Sequence, residues 1–413
     1  MFRRFTFGLP VALSVSLLVA NAASGTTPSP LAALRGDAVV HVTRVTPSTF
    51  DGRGPYAVGE VTVSVRVASE GYTTSAEIWY PAKRTRAKEA TYNQGQWFPA
   101  PLRTLLDAKP KLRATANYPS GGVRDAAAAA GVFPLVLFSH GWAGFRDQST
   151  FLTAHLASWG FVVAAPDHPS RDLTEVIGTY LGIPSPTKDP HADVQDLLAT
   201  VRLLQGPLAA PLSGHVDATR FVVIGHSAGG VAAEELSSLE TSQRASPAAN
   251  PDLGFIALAG ASTAGLSPPL PAPFNVVPSE PGIVVTAQRD AVVPAFFMKA
   301  AYNALTARHR FITLAKSGHL VFTDTCATIP RTGVLVALLK GLKIPLPATF
   351  RAGASDGCHA PDVSVTRLWP VIDQLTVAGV RWMYGIDPTT AGLDGLRKSF
   401  GSLVAVDTTG AVK

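Results

Sequence analysis

The chain has 413 residues, 46% of them apolar and 15% charged, with a formal net charge of +6. That balance is ample for a large buried core and excludes an intrinsically disordered chain. It also argues against a nucleic-acid binder, because the positive excess lies in one segment and forms no long basic stripe interleaved with aromatics.

The N-terminus reads as an export signal. Arg3 and Arg4 precede an uncharged apolar run from Leu9 to Ala20, and Ala20-Asn21-Ala22 places small residues where a signal peptidase reads. The run is too short to span a bilayer comfortably, although an uncleaved anchor is the alternative. The surroundings of Arg3-Arg4 fit a twin-arginine signal poorly. The expectation is a leader over residues 1–22 and a secreted or periplasmic chain, one domain over 23–413, starting near Ala23.

Ala38 to Val45, Glu60 to Val67 and Thr74 to Tyr80 read as valine-rich, partly alternating strands separated by turns, hence an antiparallel opening. The segment 83–131 interrupts them. Between Lys83 and Asp125 it holds nine basic residues against three acidic ones, which equals the formal excess of the whole chain. Its prolines and the Gly121-Gly122 pair allow at most short helices. From Pro134 the rhythm changes. Short apolar runs (Leu135–Phe138, Phe161–Ala165, Phe221–Ile224, Phe255–Ala259, Ile283–Val285, Phe311–Leu314) alternate with helical patterns near Gln148–Ser158, Ala192–Leu204, Gly229–Leu239, Ala295–Leu305 and Pro330–Leu342. Such runs suit strands buried on both faces, so the class is α/β with a mostly parallel, doubly wound sheet. Sites in these sheets lie beyond the carboxyl ends of the strands. Residues 386–413 are left as a tail.

Phe221-Val-Val-Ile-Gly-His-Ser-Ala-Gly-Gly230 runs a strand into a glycine-flanked serine, the pattern of a tight strand-to-helix turn that lifts Ser227 clear of the sheet. A serine nucleophile needs a base, and the base needs an orienting acid. Of the histidines well after Ser227, His309 is committed to a strand and His359 lies in a polar loop beside Cys358. His319, in Lys316-Ser-Gly-His-Leu320, follows the carboxyl end of a strand and is the candidate base. Asp290 follows the preceding strand and is the candidate acid, with Asp324 as runner-up. The backbone N–H groups of Ala228 and of Trp142 are candidate donors to an oxyanion, Trp142 also being readable as an apolar wall or a packing residue. His140 and His226 read as structural. Cys326 and Cys358 are the two cysteines of the chain, and in an oxidising compartment they should pair; two buried thiols are the alternative. No metal or cofactor is indicated.

Phe138-Ser-His-Gly-Trp-Ala-Gly-Phe-Arg146, Gly160-Phe-Val-Val-Ala-Ala-Pro-Asp-His168, Gly225-His-Ser-Ala-Gly229, Asp290-Ala-Val-Val-Pro294 and Ser317-Gly-His319 together resemble the α/β-hydrolase superfamily. Within it they are similar to the branch of platelet-activating-factor acetylhydrolases, dienelactone-hydrolase-like esterases and bacterial polyester hydrolases. Gly54-Pro-Tyr-Ala-Val58 and Ala76-Glu-Ile-Trp-Tyr-Pro81 resemble the opening of the acetylhydrolase branch. The likeness runs from about Gly54 to Gly385 and implies Ser227 as nucleophile, His319 as base, Asp290 as acid, and the Trp142 and Ala228 amides as oxyanion donors. Segment 83–125, the Cys326–Cys358 loop and the tail have no counterpart in it. The expected activity is hydrolysis of a small-molecule, lipid or polymer ester through an acyl-enzyme. An acyltransferase, a peptidase and a non-catalytic binding protein on the same scaffold are the alternatives. Lys83–Asp125 is a candidate flap over the site, with affinity for anionic surfaces.

Overall fold

The computed structural model describes residues 38, 40–187, 189, 191–239, 252–262, 276–329, 333–345 and 348–410. The expected leader, residues 1–22, lies outside them. Twelve strands occur among the described residues: β1 (Ala57–Val67), β2 (Tyr72–Ala82), β3 (Thr91–Asn93), β4 (Asn117–Pro119), β5 (Val123–Arg124), β6 (Phe133–Ser139), β7 (Val162–Pro166), β8 (Val216–His226), β9 (Asp252–Leu258), β10 (Gly282–Ala287), β11 (His309–Leu314) and β12 (Val404–Gly410). Ten of them form one sheet in the order β12-β11-β10-β9-β8-β6-β7-β2-β1-β5, while β3 and β4 pair separately. Neighbours from β7 to β11 run parallel, and β1–β2, β2–β7 and β11–β12 are antiparallel. This is the expected mostly parallel α/β sheet with an antiparallel N-terminal opening.

The apolar runs are unbroken because both faces are covered. Val136, Phe138, Val222, Ile224, Ile256 and Leu258 point into one core with the helices Thr150–Ser158 and Val365–Met383. Their neighbours Leu135, Leu137, Phe221, Val223, Phe255 and Ala257 point into the other, under the helices Ala192–Gln205, Ala228–Ser238 and Ala295–Ala304. Successive strand residues face opposite ways, so one run feeds two cores.

Two parts of the sequence reading are corrected. No strand forms over the described residues of Ala38–Val45. Instead the Val40 carbonyl accepts a hydrogen bond from Arg381 Nη1 at 2.9 Å, and Val42 and Val45 pack against the core. The sheet position beside β1 goes to β5, out of the basic segment. The tail is structured rather than appended: β12 pairs with β11 along its whole length. The 19-residue helix Val365–Met383 was not anticipated, its pattern being interrupted by Pro370. It ends in Tyr384, whose hydroxyl lies 2.6 Å from the Leu135 carbonyl and 3.0 Å from that of Arg220, where the β6–β8 register shifts.

Arg381 is 1% exposed and makes paired bonds of 2.8 and 2.7 Å to the Asp387 carboxylate. Removing one partner of a buried pair leaves an uncompensated charge. Arg381→Met should therefore lower the unfolding free energy by about 3–5 kcal/mol, measured by urea titration.

Candidate active site

β8 is flanked by β6 and β9, and its carboxyl end turns directly into the helix Ala228–Ser238. Ser227 forms the turn with φ 56° and ψ −123°. An L-residue holds such a conformation at a cost of about 1–3 kcal/mol, so the surroundings must enforce it. Ser227 N donates to the Leu258 carbonyl at 2.8 Å, and the Ser227 carbonyl accepts from Gly230 N at 2.8 Å. A side chain at Gly225 would place its Cβ 1.8 Å from the Gly229 carbonyl oxygen, so the strand can fold back this tightly only without one.

β10 and β11 deliver the other two residues from adjacent loops. His319 Nε2 lies 2.9 Å from Ser227 Oγ, and His319 Nδ1 lies 2.9 Å from Asp290 Oδ2. A carboxylate can only accept, so the ring proton belongs on Nδ1 and Nε2 is left to accept from the serine hydroxyl. Asp290 Oδ1 accepts from the N–H groups of Val292 at 2.9 Å and Val293 at 2.7 Å, which fixes the carboxylate plane. Asp324 lies elsewhere. It accepts from Thr150 N at 2.5 Å, Thr150 Oγ1 at 2.8 Å and Phe151 N at 3.3 Å at the start of the helix Thr150–Ser158, and burial raises its pKa to about 7. His309 occupies the first position of β11, and His359 remains in its exposed loop.

Gly141, Trp142 and Ser227 line one cleft of about 490 Å³, together with Phe145, Leu320, Leu335 and Phe350. The Trp142 N–H has no hydrogen-bond acceptor among the described residues. Ala228 opens its helix, so its N–H has no intrahelical partner. Trp142 is 55% exposed, and its ring meets Phe350 edge-on at 6.0 Å. Segment 83–131 reaches the cleft through Gln94. Trp97 stacks on Phe145 at 5.5 Å and donates to Asp147 at 3.0 Å. Of its bases, Arg124 is committed to the buried carboxylates of Glu60 and Glu77, and none lines the cleft.

Three supporting side chains escaped the sequence reading. Gln148 accepts from Gly141 N at 3.3 Å and donates to His226 Nδ1 at 3.1 Å, joining the Trp142 loop to the serine turn. Arg171 donates to the His140 carbonyl and to Ser139 Oγ. Asp356 accepts from His319 N at 2.6 Å. Each joins at least one group far away in the chain (His226 for Gln148, His140 for Arg171, His319 for Asp356), so no local pattern marks them. His140 and His226 do hold loops: His140 Nε2 accepts from His168 N at 3.0 Å, and His226 Nε2 donates to the His319 carbonyl at 3.2 Å. Cys326 and Cys358 form a disulfide.

Burial, and secondarily the nearby His319, pushes the His226 pKa well below 6.5. The unfolded chain takes up a proton there that the folded chain refuses. The stability linked to neutral His226 is therefore present above about pH 6.5 and lost as pH falls. Relative to His226→Gln, the wild type should lose about 1.4 kcal/mol per pH unit below that point. Urea titrations at pH 7, 6 and 5 measure it.

A family model for platelet-activating factor acetylhydrolase, isoform II, matches residues 44–192. One for the alpha/beta hydrolase family matches residues 136–339. The platelet-activating factor acetylhydrolase of Cavia porcellus is 29% identical over 126 residues, covering 28% of this chain and 28% of that protein. The chain thus matches well under half the length of that relative. A ferulic acid esterase from Streptomyces cinnamoneus aligns with a TM-score of 0.54 at 22% identity, covering 81% of this chain and 90% of that one. By sheet order, serine turn and the family match over residues 136–339, the chain has the α/β-hydrolase fold.

Proposed function

We propose that the protein is an exported serine hydrolase that cleaves carboxylic esters through an acyl-enzyme. The unbroken hydrogen-bond chain from Asp290 through His319 to Ser227, at the floor of an apolar cleft, carries this reading. As Ser227 Oγ attacks the ester carbonyl carbon, its proton passes to His319 Nε2, and Asp290 stabilises the imidazolium. The carbonyl oxygen becomes an oxyanion facing the Ala228 and Trp142 N–H groups. The C–O bond then breaks, the imidazolium gives its proton to the departing alkoxide, and the acyl group stays on Ser227. Water, deprotonated by His319, attacks that acyl carbon and frees the acid and the serine.

The cleft is lined by Trp142, Phe145, Val292, Leu320, Leu335 and Phe350, and among the described residues no Asp, Glu, Lys or Arg lines it. That supports an uncharged, apolar acyl group or alcohol. The two similar proteins named above are an acetylhydrolase and a ferulic acid esterase, which favours esters over amides. Any attraction for an anionic lipid or polyester surface acts from outside the cleft, through exposed Arg103, Lys109, Lys111 and Arg113. Export is supported by the leader-like N-terminus and by the Cys326–Cys358 bond, which persists in oxidising compartments.

The test is a panel of nitrophenyl esters of increasing acyl length, with wild type and Ser227→Ala. The variant should lose roughly four orders of magnitude or more in kcat, and an organophosphonate should label Ser227 in the wild type. Labelling of a different serine, with turnover surviving in Ser227→Ala, would refute the assignment.

A further inference from the structure

Asp290 and His319 stand on separate loops, joined by their own side-chain hydrogen bond and by Arg289 N, which donates to the Ser317 carbonyl at 2.8 Å. A third segment spans both. Asp356 Oδ2 accepts from His319 N at 2.6 Å and also from Ala291 N, the residue after the acid, at 3.2 Å. One carboxylate oxygen thereby bridges the backbone of the base loop and the backbone of the acid loop. The Asp356 carbonyl adds a third bond, from Leu320 N at 3.0 Å. Immediately beside it, Gly318 and Gly357 are in backbone contact: a Cβ on Gly318 would come within 2.4 Å of Gly357 N. Further along the same segment, Val363 N donates to the Lys316 carbonyl at 2.8 Å, and the Pro361 carbonyl accepts from Arg289 Nη1 at 2.8 Å.

This clamp is itself tied down. Two residues after Asp356, Cys358 is bonded to Cys326, which lies in the short helix Thr325–Thr328 following the base loop. Before Asp356, the residues Ala352, Gly353 and Ala354 form a wall of the cleft. We infer that Asp356 is a positioning residue that sets the His319–Asp290 alignment by bridging the two loops, and that the Cys326–Cys358 bond holds it there. The role rests on the serine-hydrolase reading, because it concerns groups that act together in proton transfer. Bonds to a charged acceptor are stronger and shorter than neutral ones, which suits a carboxylate to this task.

The experiment compares wild type, Asp356→Ala, Asp356→Asn, the double variant Cys326→Ser/Cys358→Ser, and Ser227→Ala. It reads kcat and KM on a short nitrophenyl ester, the rate of phosphonate labelling at Ser227, and the thermal melt. Misalignment of catalytic groups by an ångström lowers rate by up to about 100-fold without removing the binding site. Asp356→Ala should thus lower kcat and the labelling rate together, by about 10- to 100-fold, with KM changed by less than about threefold. Asp356→Asn keeps an oxygen able to accept both N–H groups and should recover most of that loss. The cysteine variant, assayed below its melting temperature, should show the same kcat-selective loss to a smaller degree.

A kcat for Asp356→Ala within about twofold of wild type, or an Asn variant as impaired as the Ala variant, would overturn the bridging role. If Asp356→Ala does not fold, the comparison rests on the Asn and cysteine variants, and an unchanged kcat in the cysteine variant overturns the anchoring. Turnover retained in Ser227→Ala marks a different failure. It would sink the triad reading, and the positioning role with it.

Discussion

The backbone of Ser227, bent to φ 56° and ψ −123°, is the constraint around which the rest of the molecule is arranged. Strain at one residue persists only where neighbouring contacts over-determine it. Here the strand below is locked between β6 and β9, the helix above starts within one residue, and the Leu258 carbonyl holds the Ser227 amide from the side. The large parallel sheet serves this purpose. A shorter or one-sided sheet would let the strand end relax and the hydroxyl fall back toward the core. With the turn fixed, β10 and β11 need only run parallel beside it for their following loops to meet the serine.

The ground beneath the site is built from neutral rings and one compensated cation. Burial lowers the pKa values of His140, His168 and His226, so these imidazoles contribute hydrogen bonds without adding charge. The Arg171 guanidinium is buried under the Trp142 loop, donating to Ser139 and His140 and balanced by Asp193 at 3.1 Å. In surroundings of low effective dielectric, a fixed set of dipoles needs no rearrangement when charge develops on a reacting group.

What could be read from the sequence follows from what is local. The serine turn, the apolar strands and the strand-end positions of Asp290 and His319 are written in consecutive residues, and the cysteine pair follows from there being two in the chain. Ala38–Val45 looked like a strand because valine content registers propensity but not a pairing partner, and the edge was occupied by β5 from the basic segment. The helix Val365–Met383 was hidden by Pro370, a residue that tertiary packing accommodates within the helix. Gln148, Arg171 and Asp356 were not legible at all, since each ties together groups far apart in the chain, as Gln148 does Gly141 and His226 and Asp356 does His319 and Ala291.

The two rims of the ten-stranded sheet bear on how the molecule behaves in company. An exposed strand edge is a ready template for a second chain, and a sheet this wide would be hazardous if either rim were long and apolar. On one side the outermost strand, β5, is two residues long and carries Arg124, ion-paired to Glu60 and Glu77. On the other, β12 sets Asp407, Thr408 and Thr409 along its outer length, with Asp407 paired to Arg310. One rim is thus too short to template a second strand, and the other offers an added strand a stretch in which Val406 is exposed among Asp407, Thr408 and Thr409.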